Sequence, residues 1–149
     1  MAAAFNPPLV KKIAEAVSLE GRAKYNKSVE LGDYGQYRGL TYWSPNINIY
    51  RDTRWGRGQE PYGEDPFLTA ENGCAFVEGL QGDGEFLRSA ACAKHFAVHS
   101  GPEADRHSFN AEVNDKDLFE TYLPAFEMLV KRSKVESVMG AYNRVNGYP

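Results

Sequence analysis

The chain has 149 residues, 17 Lys and Arg against 20 Asp and Glu, and a formal net charge of -3, with 42% hydrophobic and 13% aromatic residues. That charge gives no electrostatic case for nucleic-acid binding. The apolar content argues against disorder, and no apolar run approaches the roughly 18–20 residues of a membrane span. A chain of this length buries roughly 68–70% of the surface its unfolded form exposes, enough for one sizeable core. Its two cysteines, Cys74 and Cys92, make neither a disulfide scaffold nor a metal-type CxxC motif.

The opening MAAAFNPPLVKK has no charged segment followed by a long apolar core, so it does not read as a secretory signal. It leads directly into a first helix, with Asn6 as cap and Pro7 at the first helical position, where the missing N–H costs nothing. Leu9, Val10, Ile13, Ala14 and Val17 recur at helical spacing. Leu40–Tyr50 then reads as a first strand. A second helix opens with Asp65-Pro66 and continues through Leu68, Ala75, Phe76 and Val77 towards a Gly79–Gly84 turn region. Ser89–Val98 is the second strand. A third helix starts near Asn114 or Asp115, where acidic groups suit the positive helix end. Its stripe is Leu118, Phe119, Tyr122, Leu123, Phe126, Leu129 and Val130, with a kink expected at Pro124. Val135–Tyr142 is the third strand, and the chain runs on through an Asn146-Gly147 turn signal to Pro149. No low-complexity tract, long linker or short-period repeat divides the chain.

Strands alternating with helices of this length predict βαβ crossovers and a parallel sheet in an α/β fold. The segments after the strands are long and rich in charge and aromatics, and in a parallel α/β protein the carboxyl ends of the strands carry the site. The first such segment, Arg51–Pro66, places Arg51, Arg54 and Arg57 close to Asp52, Glu60, Glu64 and Asp65, with Trp55 and Tyr62 between them. It fits a polyol site, where a guanidinium donates to hydroxyls and an indole covers a sugar face. From composition alone the plainer reading is an ion-paired loop folded over the strand end with Trp55 as its anchor, although a loop this long inside a compact domain points towards function.

Lys94-His95 closes the apolar run SAACAKHF. Two cationic-capable side chains at a buried strand end need a carboxylate or a ligand oxygen, unless they form a structural buried pair. His95 and His99 have HxxxH spacing, but Phe96 follows the first histidine, so the zinc-protease pattern lacks its glutamate and no metal site is expected. Arg106-His107 either reaches back to the same mouth or is solvated. Tyr142-Asn143 suits sugar hydroxyls, although turn chemistry explains Asn143 equally well. The GRG and GDG triplets are too short and ill-placed for dinucleotide loops, and no cofactor is expected.

The segments SPNINIYRDTRWGRGQEPYGEDP, AACAKHFAVHSGPE, Arg106-His107 and SVMGAYNRVNGYP resemble glycoside hydrolase family 3, in the pattern of its bacterial β-glucosidase and β-xylosidase members. They occur in that family's order from about Ala23 onward. The resemblance implies a (β/α)8 barrel domain, usually followed by a second α/β domain. It further implies a retaining, exo-acting enzyme that removes terminal β-D-glucosyl or β-D-xylosyl residues. By the same resemblance Arg57, Lys94, His95 and Arg106 hold the sugar in the −1 subsite, and Tyr142 stands beside the nucleophile.

The departures are specific. The family nucleophile is an aspartate in a Ser-Asp context, and this sequence contains no Ser-Asp dipeptide. The acid/base carboxylate of this branch comes from the following domain. The resemblance therefore implies that the nucleophile and the acid/base both lie beyond Pro149, and no catalytic residue is expected within residues 1–149. The usual Asp-Pro after Arg51 is Asp52-Thr53, and FAVHSGPE argues against the hexosaminidase branch. A full barrel takes about 250 residues, so residues 1–149 read as part of one, about three strand–helix units without a second domain. The remaining expectations are a β-linked glycoside as partner and the rest of the barrel with its following domain as the complement. Alternatives are a non-catalytic sugar-binding or degenerate barrel fragment, and a different barrel with merely structural loops.

Overall fold

Asn6 caps the first helix through its Oδ1, which accepts from the Leu9 N–H at 3.1 Å, and two prolines open that helix, α1 (Pro7–Glu30). The computed structural model describes all of residues 1–149. The second helix, α2 (Pro66–Gln81), starts the same way, with Asp65 accepting from the Leu68 N–H at 2.6 Å. Both starts satisfy an N–H that the helix itself leaves orphaned.

The two helices cross where α2 carries Gly79. A Cβ there would lie 2.3 Å from the Lys11 carbonyl oxygen and 2.9 Å from the Ala14 Cβ. So close a crossing buries only the narrow i, i+4 row Val10, Ala14 and Ser18. Leu9 and Val17, which the spacing also places on the apolar stripe, flank the crossing and stay 43% and 39% exposed. Gly79 is therefore a packing glycine inside the helix. The turn begins at Gly82, whose φ of 76° suits a residue without a side chain.

Three strands form a parallel sheet in the order β1 (Thr41–Tyr42), β2 (Ala90–Phe96), β4 (Ser137–Gly140). The first is much shorter than the run Leu40–Tyr50, because Pro45 has no N–H to give the ladder. Pairing to β2 nevertheless continues: Cys92 donates to the Ser44 carbonyl at 2.9 Å, Lys94 to Pro45 at 3.1 Å, and Ile47 to Lys94 at 2.9 Å. A second parallel pair, β3 (Asn110–Ala111) with β5 (Arg144–Val145), was not foreseen from the sequence. It ties the segments that follow β2 and β4 to each other.

The third helix is broken into pieces. Asn114 caps a single turn, α3 (Asp115–Asp117). A π turn follows over Leu118–Tyr122, and Pro124 opens α4 (Pro124–Lys131). Where a kink is expected at Pro124, the helix changes type.

One core joins these layers: Val10 and Ala14 of α1, Ala70, Cys74, Val77 and Leu80 of α2, Ala91 and Ala93 of β2, and Phe126 and Leu129 of α4. The small residues of β2 let α2 lie close on the sheet. β4 pairs on one side only. Beside it Phe96, Phe119, Leu123, Phe126, Val130 and Val138 line an open apolar groove of about 580 Å³. No helix is long and apolar enough to cross a membrane.

Alanine has the higher helix propensity, so Gly79→Ala would stabilise an unpacked helix by roughly 0.5–1 kcal/mol. Here the added Cβ overlaps the Lys11 backbone, and the variant should instead lose about 1–3 kcal/mol. Urea unfolding followed by circular dichroism measures the sign. A stabilised Gly79→Ala variant would refute this helix crossing.

Candidate active site

The segments after β1, β2 and β4 converge at the carboxyl end of the sheet. Their meeting point is the last turn of β2. Lys94 pairs with Met139 and Phe96 with Gly140, so His95 is the extra residue of a β-bulge. Bulges re-aim side chains at strand ends. Here Lys94 is half-buried and His95 buried.

Arg57 comes to His95 from the β1 loop, 38 residues away in sequence, and its Nη1 lies 3.1 Å from the His95 Nε2. The guanidinium is held from the other side by Glu60 in a bidentate pair, with both N–O distances 2.5 Å. Asn46 donates its Nδ2 to the same carboxylate at 3.2 Å. The Arg57 hydrogen bonds hold the Glu60 carboxyl below its ordinary range, against the opposing effect of burial. Asn48 completes the cluster: its Oδ1 lies 2.9 Å from the His95 Nδ1 and accepts the His95 N–H at 3.0 Å. Its Nδ2 donates to the His95 carbonyl at 2.8 Å.

A second histidine stands against the first. The His99 and His95 rings are 4.5 Å apart, and the His99 Nδ1 is 3.0 Å from the Asn143 Oδ1. Asn143 donates its amide to the carbonyls of Val98 and Arg144 at 3.3 and 3.1 Å, which turns its oxygen towards His99. His99 therefore carries its proton on Nδ1. Its Nε2 is buried without a partner, as is the Nε of Arg106, and both residues line the same small pocket. Arg106 is paired to Glu103 at 3.0 Å. Trp55 is buried, its ring perpendicular to that of His99 with centroids 5.8 Å apart, so the indole anchors the loop. The ion-paired reading of that loop holds for Arg54–Asp52 and Arg57–Glu60.

The sequence-predicted residues thus separate into groups. Arg57 and His95 touch. Lys94 lies within electrostatic reach of Arg57 and Glu60, but its Nζ has no hydrogen bond or ion pair inside the chain, and burial draws its pKa down. Arg106 stands one layer away, across His99. Tyr142 is exposed and edge-on to His107 at 4.7 Å, outside the hydrogen-bonded cluster. The chain from Asn143 to Pro149 brings one side chain into the site, the amide of Asn143, and no carboxylate, in keeping with the absence of an acidic residue from that stretch. Sequence reasoning missed Asn46 and Asn48, although the alternation Asn46-Ile47-Asn48-Ile49 marks two amides on one side of an extended run. No group of three or more His, Cys, Asp or Glu is arranged to hold a metal ion. The cluster offers Arg57 and Lys94 as donors and Glu60 and a histidine nitrogen as acceptors, a mixture that matches hydroxyls, which both give and take.

Burial, followed by the neighbouring His99, Arg57 and Lys94, pushes His95 down to about 3, and burial likewise lowers His99. A histidine held below its unfolded value of about 6.5 leaves the unfolded chain binding the extra protons. Stability is then complete above pH 6.5 and falls as the pH drops below it, by up to about 1.4 kcal/mol per pH unit for each histidine. Urea midpoints between pH 7 and 5 measure this loss before the carboxylates titrate, and His99→Gln should reduce its slope. A midpoint independent of pH over that range would refute buried neutral histidines.

The family model for the glycosyl hydrolase family 3 N-terminal domain matches residues 34–149. A xylan 1,4-β-xylosidase of Xylanibacter ruminicola is 52% identical over 100% of this chain and 18% of its own length. β-D-xylosidase 1 of Arabidopsis thaliana is 48% identical over 99% of the chain and 19% of its own length. Among solved structures, a family 3 exo-β-xylosidase in complex with a xylobiose aziridine probe superposes with a TM-score of 0.88 at 38% identity, covering 100% of this chain and 19% of the other. A β-glucosidase from Listeria innocua in complex with glucose gives 0.82 at 35% identity, over 99% of this chain and 19% of the other. The chain thus spans about a fifth of the length of the relatives it matches. With the family model covering most of its length and its parallel sheet superposing on these barrels, the chain belongs to glycosyl hydrolase family 3, within that family's N-terminal domain.

Proposed function

We propose that Arg57, Lys94 and His95, with Arg106 and Tyr142 at the margin, form the −1 sugar-binding site of an exo-acting, retaining β-glycosidase. The enzyme releases terminal non-reducing β-D-xylosyl or β-D-glucosyl residues from oligosaccharides. The observation that carries this reading is the 3.1 Å contact between Arg57 and His95 beside an unpaired Lys94. It brings polar groups from the loop after β1 and from the end of β2 to one point at the end of a parallel sheet. The named activities of the relatives support the substrate class, and xylosides come first because the relatives described above at 52% and 48% identity are xylosidases.

Chemically, the site binds and orients. Arg57 and Lys94 donate to sugar hydroxyls, and those charged hydrogen bonds strengthen as positive charge and ring distortion develop at the anomeric carbon. Retention needs two carboxyl groups about 5–5.5 Å apart, one as nucleophile and one as acid/base. Glu60 is suited to neither role, since both its oxygens are held by Arg57 and one also by Asn46. The nucleophile and acid/base belong, on this reading, to polypeptide beyond Pro149, and residues 1–149 form part of one barrel. The tied state of Glu60 is also what favours the second reading, sugar binding by these residues without catalysis.

Calorimetry of the chain with xylose, glucose and xylobiose tests the site. Binding is expected, with Arg57→Ala and Lys94→Ala each weakening it about 10- to 100-fold, the value of a hydrogen bond from a charged donor. Hydrolysis of an aryl β-xyloside by the chain alone should stay at background. No binding of any of the three sugars would refute the sugar site, and turnover abolished by Lys94→Ala would refute the absence of the catalytic carboxylates.

A further inference from the structure

We infer that Asn48 is a positioning residue of this site: it fixes His95 as the neutral imidazole with its proton on Nδ1, so that Nε2 is presented as a hydrogen-bond acceptor. The inference rests on the reading of His95 as a sugar-binding residue. It is carried by the way a single side-chain amide engages both the backbone and the ring of one residue.

The orientation of the Asn48 amide follows from the His95 backbone. A peptide N–H can only donate and a peptide carbonyl can only accept. The Asn48 atom that meets the His95 N–H at 3.0 Å is therefore the oxygen, and the atom that meets the His95 carbonyl at 2.8 Å is the NH2 group. The same oxygen lies 2.9 Å from the His95 Nδ1. Two acceptors cannot share a hydrogen bond, so Nδ1 carries the proton. Asn48 is itself anchored, since its own N–H donates to the Asn46 Oδ1 at 3.1 Å, and it is buried.

The other ring nitrogen then has a lone pair, and Arg57 confirms its character: the Nη1 at 3.1 Å is a donor under every condition. The groups facing the ring are His99, Arg57, Lys94 and Glu60. Three of these are cationic or able to become so, which opposes an imidazolium, in line with the low pKa of His95. A protonated ring would place a donor against the Arg57 guanidinium and lose that contact. With the ring neutral, Nε2 accepts from Arg57 or from a sugar hydroxyl that displaces it. Arg57 and Lys94 supply only donors, so the acceptor that Asn48 secures lets one hydroxyl give its proton on one side and receive on the other.

Asn48 thus does for the imidazole what outer-shell partners do for ligating histidines elsewhere, where their loss costs 10- to 100-fold. Asparagine is suited to the task because it offers one acceptor and one donor at the same reach. An aspartate would meet the His95 N–H and Nδ1 equally well, but it would face the His95 carbonyl with a second acceptor and would favour a charged ring.

Long-range proton–nitrogen correlation spectra of the 15N-histidine-labelled chain at pH 7, without sugar, read the tautomer directly. His95 is assigned by comparison with His95→Gln. The expected pattern is a neutral ring protonated on Nδ1; a proton on Nε2, or on both nitrogens, overturns the inference. In Asn48→Asp the midpoint of the His95 titration should rise by more than one pH unit, and an unmoved midpoint counts against Asn48. In Asn48→Leu the Nδ1 preference should be lost and xylose affinity should fall about tenfold or more, with the far-ultraviolet dichroism retained; a wild-type spectrum and affinity overturn the assignment. Should both variants fail to fold, the spectrum of the unsubstituted chain still decides. Failure of the unsubstituted chain to bind sugar overturns the sugar-site reading, whereas the sugar-free spectrum of His95 decides the tautomer independently.

Discussion

The geometry of the site depends on how the segment Asn46–Ile49 is fastened to the end of β2. Ile47 donates to the Lys94 carbonyl, and Asn48 holds the N–H, the carbonyl and the ring of His95. The side chain of Ile47 is meanwhile buried at the sheet–helix boundary, where a Cβ at Gly73 of α2 would come within 3.0 Å of its Cγ2. Core packing and site geometry are therefore joined through one short stretch. A slip of one residue in this register would exchange the surroundings of Lys94 and His95 and leave Ile47 out of the core. The apolar cost of such a slip protects the polar arrangement.

Charge is distributed so that the cluster stays open to a ligand. Arg57 is neutralised by Glu60, and both are only partly buried, so their pair organises the loop more than it stabilises the fold. Lys94 has no such partner, and its half-buried ammonium group meets no acceptor within the chain. His95 remains neutral between these cations. The result is an excess of donors around one or two firmly placed acceptors. Neutral polyols satisfy that arrangement, because each hydroxyl can answer either kind of group. Trp55 lies beneath this surface against His99, which accounts for its burial without requiring the indole itself to meet a sugar.

Much of the fold was legible because its signals are local. Asn6-Pro7 and Asp65-Pro66 cap helices with atoms one turn away, and the apolar run Ser89–Val98 contains β2. The role of Gly79 was not legible, because it depends on a second helix more than sixty residues earlier, and a glycine read alone signals a turn. The shortness of β1 was open to inference from Pro45, yet the ladder beyond it rests on carbonyl acceptors that leave no mark in the sequence. In the site, Arg57, Lys94 and His95 were found by residue type and family resemblance. Asn46 and Asn48 escaped because an amide reveals its function only through the backbone groups it meets, and those of His95 lie 47 residues away. Asn143 was ambiguous between turn and site for the same reason, until the carbonyls of Val98 and Arg144 oriented it towards His99.

The two flanks of the site are finished to different degrees. On the flank built from the β1 and β2 segments, the polar groups around His95 have partners except the Lys94 ammonium and the His99 Nε2, and the loop is pinned by buried Trp55 and Tyr62. On the other flank, β4 pairs on one side only and borders an apolar groove that includes exposed Phe119 and Val130. Tyr142 follows directly on this flank, 71% exposed, with only the edge of His107 to orient it. Tyr142 thus rests on a single aromatic contact, whereas His95 is held by three hydrogen bonds with Asn48. Arg57 and His95 are therefore preorganised by contacts within the chain, and Tyr142 has no hydrogen-bonded partner there.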